Sequence, residues 1–253
     1  MNPEVEKAFQ ATTKVLFGKA LAGLPSYRQW LEAGVRIEDR QKSAVSSNIV
    51  YAPRFRFYQV DSKHYAKLEE SLELGKKMLA ADDAKAITLS NAASRLGEIA
   101  YCTPEIVLGT NTFVEGTGTM NLASHCSDGT YYSNCKYCAY SYWPRNSEYM
   151  FGSDIAFSSK FCIRCFNSSG LARCLELSQC SNCSDCFFCH NCENLEECMF
   201  CTNAKALRYA IFNKQYGKEE YLKIKKMVLD EIADKLGKNK TLDINIFNIG
   251  CKR

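Results

Sequence analysis

The cysteines are the residues with the most chemical potential, and their spacing is regular. The chain has 253 residues and 15 cysteines. Thirteen cysteines lie between residues 126 and 201, and every one stands at a multiple of three. A thiolate can bind zinc or act as a nucleophile, whereas a neutral thiol packs as a small apolar group. The pattern therefore allows three interpretations: a metal site, a catalytic site or a packed core.

The metal interpretation depends on Cys-x-x-Cys pairs, which recur through this stretch. Two such pairs about 15 residues apart are typical of a zinc site. The pairs that fit this spacing give one candidate ligand set: Cys183, Cys186, Cys198 and Cys201. The alternative function that follows is a zinc-binding module that stores or senses the metal.

The residues between the cysteines favour a packed core without a cofactor. Ser, Ala and Leu continue the same phase, and no charged residue stands at a multiple of three from 126 to 204. Zinc ligands must converge on one point, and they give no reason for uncharged residues to continue the phase elsewhere. Cysteine suits a narrow buried row, because it is small and apolar. We therefore expect thiols that point inward.

Catalysis has little support in the sequence. The chain has three histidines, of which His125 and His190 are sequence neighbours of cysteines. Neighbours on a strand point to opposite faces, so a Cys–His pair within hydrogen-bond reach is not expected. The glycines from 109 to 118 have no lysine with which to form a phosphate loop. The sequence predicts no enzyme and no small-molecule substrate.

An inward residue at every third position predicts a narrow β-solenoid. An α-helix repeats every 3.6 residues and a strand every two, so neither keeps this phase. A tightly wound solenoid turns a corner after each short side. Aromatic residues precede the inward phase at intervals of about 12 residues, so coils near this length are expected, loosened to about 15 around 168–176. The aromatic rings should stack along one outer edge.

Hydrophobic patterning predicts the elements that flank the repeat. In a strand over 49–57, Arg54 and Arg56 alternate with Phe55 and Phe57. The stripe of the last helix should cap the open end of the solenoid. The predicted elements are a helical region over 4–34 with a break near Pro25, helices over 62–81 and 84–96, β-structure over 99–123, a strand and turn over 209–216, a helix over 218–236 with stripe residues Tyr221, Ile224, Val228, Ile232 and Leu236, and a strand over 242–246.

These elements give a mainly β fold: a cysteine-lined β-solenoid with an α-helical N-terminal region and a C-terminal capping helix. The predicted domains are 1–98, 99–210 and 211–253.

A net charge of +4 does not indicate a nucleic-acid partner. The basic excess lies in 205–253, with 12 Lys/Arg against 6 Asp/Glu. Neither a signal peptide nor a run of about 18 apolar residues is present, which predicts a protein made in the cytoplasm with no membrane partner.

The stretch 126–221 resembles a known family. The residues that carry the resemblance are Glu197-Cys198-Met199-Phe200-Cys201, then Ala206-Leu207-Arg208, then the segment from Ile211-Phe212-Asn213-Lys214-Gln215-Tyr216 to Tyr221. They are similar to the cysteine-repeat proteins of reduced-genome bacteria and large phages, some of which are labelled CaiB/BaiF CoA-transferases. The resemblance implies the repeat fold. The label implies a carboxylate nucleophile, and no carboxylate here stands in a recognisable setting for one.

The function predicted from the sequence is a non-enzymatic structural or protein-interaction component of a large assembly, such as a phage virion. Protein partners are expected, and the chain could form an oligomer.

We also expect Cys186→Ser to be tolerated less well than Ser184→Ala, because an unpaired hydroxyl would be buried. Deletion of residues 217–253 should uncover the end of the solenoid and give aggregated or filamentous protein.

Overall fold

A computed structural model describes residues 2–53 and 61–250 and divides the chain into two compact units. The first unit contains residues 1–37 and 108–253, and the second contains residues 38–107. The predicted alternation of Arg54, Phe55, Arg56 and Phe57 lies outside the described residues. Within the described residues, no helix is long and apolar enough to cross a membrane.

The N-terminal segment of the first unit contains two helices. Helix α1 spans Pro3–Phe17; the Asn2 side chain caps it by accepting the Glu4 N–H at 2.8 Å. Gly18 ends α1 in the left-handed conformation at φ 72°. The helical region expected over 4–34, with a break near Pro25, is thus interrupted earlier than expected, at Gly18. A 3-10 turn follows at Leu24–Tyr27, and helix α2 spans Arg28–Glu32.

The second unit is built from short elements. Strand β1, Asp39–Lys42, pairs antiparallel with β2, Ile49–Ala52. The continuous helix expected over 62–81 was wrong, because the Ala66 N–H bonds to the Cys102 carbonyl at 2.9 Å and holds this part of the chain extended. The other elements here are 3-10 turns Ser62–His64 and Leu68–Glu70, and helices α3 Ser71–Leu74, α4 Ala81–Lys85 and α5 Leu89–Gly97.

The solenoid has about nine turns of short, mainly parallel strands. Its strands are β3 Ile106–Leu108, β4 Thr112–Glu115, β5 Thr119–Asn121, β6 Ser124–Ser127, β7 Tyr132–Ala139, β8 Arg145–Phe151, β9 Asp154–Phe157, β10 Lys160–Ser169, β11 Ala172–Ser178, β12 Ser184–Phe187, β13 Glu196–Met199, β14 Arg208–Ile211 and the antiparallel β15 Lys214–Gln215. Neighbouring strands pair Cys162 with Cys174 and Cys186 with Cys198, so that residues 12 apart in the sequence lie side by side in successive coils. This separation confirms the coil length expected from the aromatic spacing. The pair Phe166–Ser178 keeps this register, so the expected loosening around 168–176 was wrong.

The three-residue repeat has a cause in the backbone. The residue before each inward position adopts the left-handed conformation, as Tyr137 does at φ 57° and Asn146 at φ 51°. This bend turns the chain at every corner, and four three-residue sides make one coil. A left-handed L-residue costs roughly 1–2 kcal/mol, least for Gly and Asn. Asn134, Asn182 and Gly170 occupy such corners.

Four rows of inward side chains fill the interior. All 13 cysteines from Cys126 to Cys201 are buried and free. The interior is so narrow that a large residue needs a small neighbour: a Cβ on Gly129 would lie 2.1 Å from the Tyr132 hydroxyl. One coil presents four cysteines as its inward residues, namely Cys183, Cys186, Cys189 and Cys192.

One outer face of the solenoid is apolar and is covered by helices. Its central row is Ala139, Phe151, Ile163, Leu175, Phe187, Met199 and Ile211, all buried. Helix α1 packs on this row together with α6, Lys218–Asn239. The stripe of α6 is confirmed at Tyr221, Ile232 and Leu236. The helix ends at Asn239, beyond the expected end at residue 236.

The capping helix expected from the sequence is present, and α6 contacts the last parallel strand, β14. It then continues beside α1 over the lateral apolar row, so it covers a side of the solenoid as well. The strand expected over 242–246 was wrong. The Asn245 side chain accepts the N–H groups of Phe247 and Asn248, at 2.9 and 3.1 Å, and folds this segment into turns.

Candidate interaction surface

The inward serines and cysteines link the coils by hydrogen bonds. The Ser147 hydroxyl donates to the Arg145 and Ala156 carbonyls at 2.8 and 3.2 Å. It also accepts the N–H of Ser159 from the next coil at 3.1 Å. Other inward serines repeat the last bond: Ser141 to Ser153, Ser153 to Cys165, Ser159 to Leu171 and Ser168 to Cys180.

Cysteine sulfurs make the same bonds. Cys174 Sγ donates to the Ala172 and Cys183 carbonyls at 3.3 and 3.5 Å, and it accepts the Cys186 N–H. Burial raises the pKa of Cys162 and Cys174 well above the usual thiol value, so both remain protonated donors. Ser and Cys recur at inward positions because each offers a small side chain that satisfies a buried backbone N–H.

The predicted zinc ligands lie in two successive coils. Cys183 and Cys186 are inward in one coil, and Cys198 and Cys201 are inward in the next. Hydrogen bonds with the thiols of Cys180 and Cys186 lower the pKa of Cys183 to about 4. Hydrogen bonds with Cys183, Cys189 and Cys198 raise the pKa of Cys186 well above its usual value.

Hydrogen bonds with Cys189 and Cys198 likewise lower the pKa of Cys201, so the thiols of the set share protons, whereas zinc binds every sulfur ligand as thiolate. Across residues 2–53 and 61–250, no group of three or more His, Cys, Asp or Glu is arranged to hold a metal ion. The zinc site remains a prediction that metal analysis can test.

The aromatic residues form two outer ladders. In the first, the ring centroids of Tyr137 and Tyr149 are 5.0 Å apart, and those of Tyr149 and Phe161 are 4.5 Å apart. Phe188, Phe200 and Phe212 form the second ladder, with spacings of 5.5 and 5.4 Å. The stacking is confirmed, but the expected single edge was wrong. The coil length is constant, and Phe161 and Phe188 are not a whole number of coils apart, so they lie in different rows.

His125 belongs to the first ladder. Its ring centroid lies 4.8 Å from that of Phe113 and 5.2 Å from that of Tyr137. One ring nitrogen is 2.8 Å from the Ser124 hydroxyl. The neighbouring residue Cys126 is fully buried in the interior, so the ring and the thiol point to opposite sides of the strand.

Charged side chains on the uncovered faces pair between coils. Arg173 bonds both carboxylate oxygens of Asp185, at 2.8 and 2.6 Å. The other pairs that join successive coils in this way are Lys160–Glu148 at 2.8 Å, Arg208–Glu196 at 2.8 Å and Lys205–Glu193 at 2.7 Å. These pairs neutralise much of the charge on the solenoid surface.

An aromatic cluster on an uncovered edge departs from this pattern. We call Tyr131, Trp143, Arg145, Ile155 and Phe157 the aromatic corner. The Trp143 ring centroid lies 6.0 Å from that of Tyr131 and 5.9 Å from that of Phe157. Trp143 is 39% exposed. Arg145 is exposed and makes no ion pair with the part of the chain that the structure describes.

Sequence reasoning did not find the aromatic corner. Its signal was Tyr131 and Trp143 placed one coil apart, each at the corner position of its coil. Comparisons with protein-family models, curated proteins and solved structures found no match. The resemblance to the cysteine-repeat proteins therefore stays a prediction.

Proposed function

We propose that the chain is a non-enzymatic scaffold that holds a partner protein on the aromatic corner, as a component of a larger assembly. One observation carries the proposal: an exposed Trp sits among aromatic rings beside an arginine that forms no ion pair within the described residues. Trp, Tyr and Arg dominate the binding energy of protein interfaces. The filled interior and inter-coil bonds support a rigid presentation of these groups.

The partner that fits is a protein surface with an apolar pocket beside a carboxylate. The pocket would take Trp143, and the carboxylate would meet Arg145, whose charge no acidic side chain in the described part of the chain neutralises. The Lys160–Glu148 ion pair lies on the adjoining side of the coil and would form part of a polar rim. A virion is one assembly that could supply such a partner.

Size-exclusion chromatography of a fresh native extract tests the proposal. The wild-type chain should elute well above its own 28.6 kDa. The Trp143→Ala and Arg145→Glu variants should elute as free protein with unchanged melting temperatures, while the exposed control Lys205→Ala should stay in the complex. Variants that remain in the complex, or a wild-type chain that elutes alone, would refute the proposal.

A further inference from the structure

The apolar row beneath α1 and α6 repeats in every coil, so the row alone does not determine which coils the helices cover. Phe9 of α1 packs edge-on against Phe151, with ring centroids 5.3 Å apart. A shift of one coil, about 4.8 Å, would place Phe9 opposite Ile163 or Ala139, which are also apolar. Hydrophobic burial alone therefore leaves several registers of similar free energy.

A buried ion pair beside this row is specific to one coil. The side chains of Arg164 and Glu176 are 1% and 0% exposed. Arg164 Nη1 donates to the carbonyl oxygens of Trp30 and Ala33, the latter at 2.8 Å. Glu176 accepts Arg164 Nε and, through its other oxygen, the Ile246 N–H at 2.9 Å. The pair thus ties the coils to the segments that follow both α1 and α6.

Gly152 is a second constraint, in the same row as Arg164. A Cβ at Gly152 would lie 2.6 Å from the Leu31 carbonyl oxygen, so only glycine fits beneath this segment. The neighbours one coil away in the row are Tyr140 and Arg164. A shift of one coil would therefore drive a large side chain into the Leu31 backbone.

Asp154 is a third constraint. Its Oδ2 accepts the backbone N–H and the Nε of Arg36, both at 3.0 Å. The residues one coil away are Tyr142 and Phe166, which have no carboxylate. In a shifted register, Arg36 would lose both bonds.

We propose that Gly152, Asp154, Arg164 and Glu176 form a register lock that selects one docking position for the helices on a repetitive solenoid. Buried polar groups fix register in coiled coils for the same reason: a shifted arrangement leaves them unpaired. The inference is independent of the partner proposed above. It explains how a repeated surface keeps the same coils covered in every molecule.

The chain has two tryptophans, which report on the lock and on a distant control region. Trp30 lies at the lock, and Trp143 lies on the uncovered aromatic corner. The variant Asp154→Ala/Arg164→Gly/Glu176→Met removes the charged members of the lock together and places a glycine one coil along the row from Gly152, so that the Leu31 segment fits over either coil. In indole ¹H–¹⁵N spectra we expect Trp30 to give two resonances, one for each register, while Trp143 keeps one.

The matched control is Arg173→Gly/Asp185→Met, which removes a more exposed inter-coil pair and also places a glycine at a left-handed corner. It should leave both indoles single. A folded Asp154→Ala/Arg164→Gly/Glu176→Met variant with a single Trp30 resonance at the wild-type position overturns the lock. If that variant does not fold, Asp154→Ala/Arg164→Gly/Glu176→Gln takes its place: two Trp30 resonances support the lock, and one overturns it.

Discussion

At the scale of single residues, the inward serines change what a cysteine substitution should do. A serine at position 186 would find hydrogen-bond partners, so we no longer expect Cys186→Ser to bury an unpaired hydroxyl. The Cys186 thiol lies 3.2 and 3.7 Å from the Ser184 and Leu195 carbonyls, which a hydroxyl can also use. Inward serines elsewhere are fully hydrogen-bonded in the same way.

Cys174 gives a sharper test of this hydrogen-bonding role. Cys174→Ala removes the acceptor of the Cys186 N–H, and an unsatisfied buried donor costs about 1–3 kcal/mol. Cys174→Ser keeps the acceptor. We therefore expect the free energy of unfolding to fall more for alanine than for serine, measured by urea denaturation. Equal losses, or a greater loss for serine, would show that thiol packing alone matters.

At the scale of elements, α6 stabilises the solenoid by covering an apolar side that would otherwise be exposed to water. Within this helix, Ile232 is 6% exposed and Met227 is 64% exposed. Ile232→Ala should lower the free energy of unfolding by about 2–5 kcal/mol. Met227→Ala, the matched control, should change it by no more than about 0.5 kcal/mol. Similar values for the two variants would mean that α6 does not pack on the solenoid.

Deletion of residues 217–253 should still produce association, but by another route than the one expected from the sequence. The end of the solenoid is partly closed without α6, because the Asn213 amide accepts the Thr202 N–H at 3.0 Å and donates to its carbonyl at 2.8 Å. The deletion instead bares Phe187, Met199 and Ile211. Light scattering should show irregular aggregates with a lowered melting temperature; ordered filaments would contradict side-by-side association.

At the scale of the whole molecule, the three-residue phase was enough to predict the solenoid and its thiol-lined interior, because the interior admits only small uncharged residues. The constant coil was missed because Phe161 and Phe188 were assigned to one edge. The covered face left a readable signal, since Phe151, Ile163 and Leu175 recur at intervals of one coil.

Other features depend on contacts between distant parts of the chain. The local sequence does not show that Arg164 reaches the Trp30 carbonyl, or that Asp154 binds Arg36.

The sequence also does not distinguish a zinc site from a packed interior, because Cys-x-x-Cys spacing arises both from zinc ligands and from adjacent inward positions of a coil with three-residue sides. Only the hydrogen-bond partners of each sulfur distinguish the two cases.

Thiol labelling of the native protein tests the central claim most directly. The protein is treated with chelator, so that bound zinc cannot protect sulfur, and then with iodoacetamide before and after denaturation. The account predicts that the 13 buried cysteines from Cys126 to Cys201 stay unmodified in the native state and all react in denaturant, with less than one zinc released per chain. Rapid native labelling of several of them, or release of stoichiometric zinc with loss of the fold, would contradict it.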